Sequence, residues 1–116
     1  MDNNHRYLLS IPLNVKDLDN IEECLPWEEI KFEEYRITKE DFDNLYKLFG
    51  EFDKPFDILI DEYEEEIIPA SGIQTAIQMT LDFAATASPE VKESANKLLC
   101  ALNRANELGK QILLSF

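Results

Sequence analysis

Apolar residues recur along this chain in two rhythms. The first is extended. Arg6 to Leu13 carries Tyr7-Leu8-Leu9-Ser10-Ile11-Pro12-Leu13 and reads as an opening strand. Pro12 cannot donate a ladder hydrogen bond, so it should mark the end of that strand or an edge. Trp27 to Ile37 alternate: Ile30 and Phe32 fall on one face with Glu28 and Glu34 at its ends, and Glu29, Lys31, Glu33 and Tyr35 fall on the other. One face is expected to be buried and the other wet and acidic, as on an outer or edge strand. Phe56-Asp57-Ile58-Leu59-Ile60 is apolar nearly throughout, which predicts a central strand covered on both faces. Ile112 to Phe116 reads as a buried final strand, with continued helix as the alternative.

The second rhythm is helical. Asn14 and Asp17 open a short segment with Val15, Leu18, Ile21 and Leu25 near helical spacing, ended by Pro26. Thr38 is placed to cap a helix with Glu40 and Asp41 in its first turn and Phe42, Leu45, Tyr46 and Phe49 as its apolar stripe. Lys47 is expected in its last turn and Gly50 in a left-handed C-cap. Phe52-Asp53-Lys54-Pro55 reads as a turn. Ser71 with Gln74 matches a capping box ahead of Ile73, Ala76, Ile77, Thr80, Leu81 and Ala84. Ser88-Pro89 starts another helix, carrying Val91, Ala95, Leu98, Leu99, Leu102, Ala105 and Leu108, with Arg104 near its end and Gly109 as its stop. The last two helices are joined by almost nothing and should form a hairpin.

No internal repeat or linker interrupts this order, and residues 1–5 read as frayed. The expected fold is a single α/β domain over residues 1–116. It has a roughly four-stranded mixed sheet packed with about four helices, including the C-terminal helical hairpin.

Composition narrows the functional classes. With 116 residues, 45% of them hydrophobic, the chain can bury a core. The net charge is −13. Residues 1–70 hold 20 acidic and 7 basic side chains, and residues 71–116 hold 4 of each. Such a surface repels nucleic acid and anionic membranes and attracts basic proteins. No apolar run approaches the ~20 residues of a membrane helix, and Met1 to Arg6 does not read as a secretory leader, so a cytoplasmic location is expected. Cys24 and Cys100 form no metal-ligand pattern with the single histidine, His5, and are expected to be buried thiols.

Chemistry is conspicuously missing. No Ser-His or Cys-His pair falls on ordered elements, and no glycine-rich phosphate loop occurs. Asp17-Leu18-Asp19-Asn20 and Asp41-Phe42-Asp43-Asn44 begin like calcium loops but lack the glycine and the closing glutamate. The expectation is a non-enzyme with no cofactor, no metal and no small-molecule ligand.

What remains are acidic clusters interleaved with aromatic residues. The candidate partner-binding residues are Glu28, Glu29, Glu33, Glu34 and Tyr35, together with Asp61, Glu62, Tyr63, Glu64, Glu65 and Glu66. Rigid aromatic area among carboxylates suits an interface with a basic protein. A short, acidic α/β chain of this kind resembles the immunity proteins of bacterial toxin systems, including contact-dependent growth inhibition. The order from Thr38 to Phe116 is also similar to barstar in topology: a helix, Pro55-Phe56-Asp57-Ile58-Leu59-Ile60, helical sequence, then Glu107-Leu108-Gly109-Lys110 leading to an apolar strand. No motif is shared, and no residue role carries over. The resemblance implies an inhibitor that occludes a basic toxin, a nuclease domain above all. Two other readings stand beside it: a nucleic-acid mimic that blocks a DNA-binding enzyme, and a non-catalytic adaptor. The neutral last 46 residues weigh mildly against the mimic, which needs negative charge spread along an extended surface.

Overall fold

In a computed structural model the chain is described at residues 7–14, 29–56, 58, 60 and 65–116. Its strands are β1 (Tyr7–Pro12), β2 (Phe32–Ile37), β3 (Glu65–Ile68) and β4 (Ile112–Ser115). They form one sheet in the order β2-β1-β4-β3, antiparallel throughout rather than mixed. Its helices are α1 (Lys39–Glu51), the short α2 (Asp53–Phe56), α3 (Ile73–Ala85) and α4 (Pro89–Leu108). The expected helix through Val15, Leu18, Ile21 and Leu25 lies outside the described residues, as do His5, Cys24 and Trp27.

The two central strands are the most continuously apolar segments. Leu9 and Ile11 of β1, and Ile112 of β4, have no exposed surface, and Leu114 is buried beside them. Strands buried on both sides read as unbroken hydrophobic runs because neither face has to meet water. Pro12 is the last residue of β1, as its missing N–H requires. Beyond it the Leu13 amide donates to the Lys31 carbonyl at 2.7 Å. The Asn14 side chain donates to the Glu29 carbonyl at 2.9 Å and accepts from the Lys31 amide at 2.8 Å.

The predicted central strand Phe56–Ile60 is not one. Phe56 ends α2, where its ring meets Phe52 edge-on with centroids 5.5 Å apart. Ile58 and Ile60 pack on the core without belonging to a strand, and Asp57 and Leu59 lie outside the described residues. The third strand comes later, at Glu65–Ile68, on the sheet's edge. The stretch Phe52–Pro55, read as a turn, falls largely within α2.

Helix α1 begins as expected. The Asp41 amide donates to Thr38 Oγ1 and the Thr38 amide donates to Asp41 Oδ2, each at 3.0 Å, completing a capping box. Its end differs: the helix passes through Gly50 to Glu51 and closes at Phe52 in right-handed geometry, so Gly50 is no left-handed cap. Fully burying Phe52 is the reason, since continued helix carries that ring inward. Leu48 joins the buried stripe, and Tyr46 is exposed instead. Ser71 makes no capping box; α3 is entered through a 3₁₀ turn at Ala70–Gly72. In α4, Ser88 Oγ accepts from the Val91 amide, Pro89 opens the helix and Gly109 closes it at φ 65°. Helices α3 and α4 are joined by Thr86-Ala87-Ser88 and pack on each other, with α1 also against α4. Residues of the three helices, with Leu9, Ile68, Ile112 and Phe116, make up one core.

Candidate partner-binding surface

The predicted acidic residues that are described do not form one patch. Strands β2 and β3 are opposite edges of the sheet, so Glu33 and Glu34 are separated from Glu65 and Glu66 by three strand spacings, about 14 Å. That exceeds the ~8 Å screening length at physiological salt, so the two groups act separately. Glu29 is exposed. Glu28, Asp61, Glu62, Tyr63 and Glu64 lie outside the described residues. So do ten of the 24 acidic side chains and two of the 11 basic ones in all.

The faces of β2 are the reverse of those expected. Ile11 pairs with Glu33, Leu9 with Tyr35 and Tyr7 with Ile37. Residues directly opposite share a face, so Glu33, Tyr35 and Ile37 turn toward the helices and Phe32, Glu34 and Arg36 turn away. Ile30 is buried, but outside the strand. The pair counted as wet is therefore engaged within the protein. Glu33 Oε2 accepts from Tyr35 Oη at 2.6 Å and from Arg104 Nε at 3.0 Å, and Arg104 also donates to Glu107 at 3.2 Å. The Tyr35 hydrogen bond, followed by that of Arg104, lowers the Glu33 pKa, and the Glu33 carboxylate raises that of Tyr35. This bracket ties β2 to α4. Glu34 is exposed on the outer face, and Glu65 stands at the other rim, accepting from Ser115 Oγ at 3.3 Å.

A second ionic knot joins α1 to α4. Asp41 is buried, yet it accepts from Ser94 Oγ at 2.7 Å and from Lys97 Nζ at 2.8 Å, besides the Thr38 amide. Burial pushes its pKa up; the Lys97, Ser94 and Thr38 hydrogen bonds outweigh that and hold it at about 2. Asn44 Nδ2 donates to Ser94 Oγ at 3.1 Å. Two of the four cations in residues 71–116 thus bind acids from residues 1–70, at Glu33 and Asp41.

That pairing leaves exposed acids of the last 46 residues beside those of α1. A cleft of about 250 Å³ over the Asp41 knot is lined by Glu40 of α1, by Glu90 and Glu93 of α4, and by Lys97. A larger groove of about 590 Å³ lies between α1, α3 and the start of α4. Its lining includes Met79, Phe83, Ala87 and Val91, all half-buried, with Lys47, Glu51 and Asp82 exposed around them. Asn44 lines both, so the two adjoin. Five exposed carboxylates from three helices therefore line two neighbouring depressions. Sequence reasoning missed this surface. Its local signal was visible in the acidic first turns at Glu40 and Glu90, but the packing of α1 on α4 that brings them together was not.

Other expectations bear on chemistry. Asp41 to Asn44 are helical and form no calcium loop. Among the described residues no group of three or more His, Cys, Asp or Glu is arranged to hold a metal ion. Among the same residues no helix is long and apolar enough to cross a membrane. Cys100, expected to be buried, is an exposed free thiol on α4.

Comparison with protein-family models finds no match, and neither does a search of curated proteins. Among solved structures the chain is similar to the Neisseria DNA mimic protein DMP12, at a TM-score of 0.56 and 14% sequence identity, covering 97% of this chain and 100% of that one. The likeness is one of fold.

Proposed function

We propose that this protein is a non-catalytic, acidic binder of a DNA-binding protein, occupying the surface on which that partner receives the nucleic acid backbone. The observation that carries the reading is that a chain of net charge −13 takes the fold of a protein described as a DNA mimic. The distribution of charge supports it. The neutral composition of residues 71–116 argued against a mimic, but Lys97 and Arg104 are held by Asp41 and Glu33. Asp82, Glu90 and Glu93 are exposed and extend the acidic border begun by Glu40 and Glu51. Carboxylates so spread offer a cationic DNA-binding surface several ionic contacts and steer association with it.

The test is capture from the native host on the immobilised full chain at low salt, followed by elution with duplex DNA and, separately, with rising salt. The expected result is one DNA-binding protein that duplex DNA displaces. A basic toxin nuclease whose lethality this protein suppresses would favour the immunity-protein reading instead. A captured partner that duplex DNA does not displace would overturn the mimic.

A further inference from the structure

The groove between α1, α3 and α4 is built unlike a purely electrostatic surface. Its volume of about 590 Å³ is within the ~300–1,000 Å³ of ligand-sized sites. Met79 and Phe83 are only partly covered by the core they pack on, and Val91 is half-buried opposite. Glu51 stands at the end of α1 and Asp82 on α3 beside the apolar lining, and against the single exposed cation there, Lys47, they leave the groove's border net negative. A surface that only imitated a phosphate ladder would have no use for exposed apolar area between its charges. Nor does a second copy of this chain suit the groove, because two bodies of charge −13 repel each other.

We infer that this groove is the anchoring site for a cationic amphipathic segment of the protein partner, an apolar side chain resting on Met79, Phe83 and Val91 while flanking lysine or arginine side chains meet Glu51 and Asp82. The inference rests on the proposed function and deepens it: border charges set the approach, and the groove holds the partner once it has arrived. Central, desolvated contacts dominate affinity, whereas rim charges act chiefly on the association rate. Binding should therefore survive added salt better than pure ionic pairing does.

The test uses amide NMR on the intact protein with two short synthetic helical peptides of equal positive charge. One carries leucine and phenylalanine on one face, and the other carries serine in their place. The amphipathic peptide is expected to shift the amides of Lys47, Glu51, Asp82, Phe83 and Val91 and to bind about tenfold more tightly than its serine counterpart. Reversing both exposed acids (Glu51→Lys with Asp82→Lys) should weaken that peptide about tenfold at an unchanged thermal midpoint. Equal affinities for the two peptides would overturn the inference. So would shifts confined to Glu34 and Glu65, or groove shifts that grow with protein concentration alone. A groove that fails this test while duplex DNA still displaces a captured partner leaves the proposed function standing. A groove that passes while no DNA-binding protein is captured removes that function and keeps the anchor.

Discussion

Replacing Asp41 with asparagine keeps the size of the side chain and removes its charge from a site where the charge is held by Lys97, Ser94 and Thr38. Its pKa of about 2 compares with 3.8 for the same group unperturbed. At about 1.4 kcal/mol per pH unit, the difference is worth roughly 2 kcal/mol to the folded state. Because the folded value lies below the unfolded one, the unfolded chain binds more protons at acid pH. The contribution is therefore complete above about pH 4 and disappears as the pH falls toward 2. The asparagine amide also turns an N–H₂ toward donors it cannot accept from, so the expected loss at pH 7 is about 2–3 kcal/mol. Urea unfolding of both proteins by circular dichroism, from pH 7 down to pH 2.5, measures it. Acidification also relieves the mutual repulsion of a chain at −13, so the wild-type curve alone is ambiguous. The difference between the two proteins cancels that background. It should shrink between about pH 4 and pH 2.5. A difference that stays flat over this interval, or one below about 0.5 kcal/mol at neutral pH, would refute the account of the knot.

Other expectations concern single positions. Gly109→Ala should cost about 1 kcal/mol in urea unfolding, since φ is 65° there while nothing lies within 4 Å of the added carbon. Gly72→Ala should cost about 1–3 kcal/mol for a different reason: its Cβ would sit 2.7 Å from Phe56 Cε1, and a stability equal to wild type would show that ring free to move. Leu98→Ala, at a side chain with no exposed surface in α4, should lose about 2–5 kcal/mol by the same measurement. In a Cys24→Ser background Cys100 should react with a maleimide in the native protein, and adding Cys100→Ser should abolish that reaction; protection until unfolding would contradict its exposure.

Local chemistry was the legible part of the fold. Thr38, Ser88-Pro89 and Gly109 mark helix ends through bonds made within a few residues, and each is where the sequence placed it. The two central strands were legible because burial on both faces leaves an unbroken apolar run. The same rule misled at Phe56–Ile60, since an irregular segment packed on the core carries the same side chains as a strand. Glu65-Glu66-Ile67-Ile68 was hidden for the converse reason: an edge strand needs few apolar residues, and its acids masked the ladder it makes with β4. On β2, Ile37 fixes the inward parity and draws Tyr35 and Glu33 with it, which no count of alternating residues from Ile30 could reveal. The acidic depression is the least legible feature. It depends on contacts such as that between Asp41 and Ser94, 53 positions apart.

The middle of the sheet joins Leu9 to Leu114, 105 positions apart. Every other strand hangs on that pair, β2 from one side and β3 from the other. Closing so long a loop is entropically demanding, and contacts of this reach slow folding relative to local ones. During synthesis the sheet therefore has no centre until the final strand has left the ribosome. The helices and the β1–β2 pair can form and pack earlier, but the apolar surface that β4 covers stays open until then, and such surface is prone to aggregation.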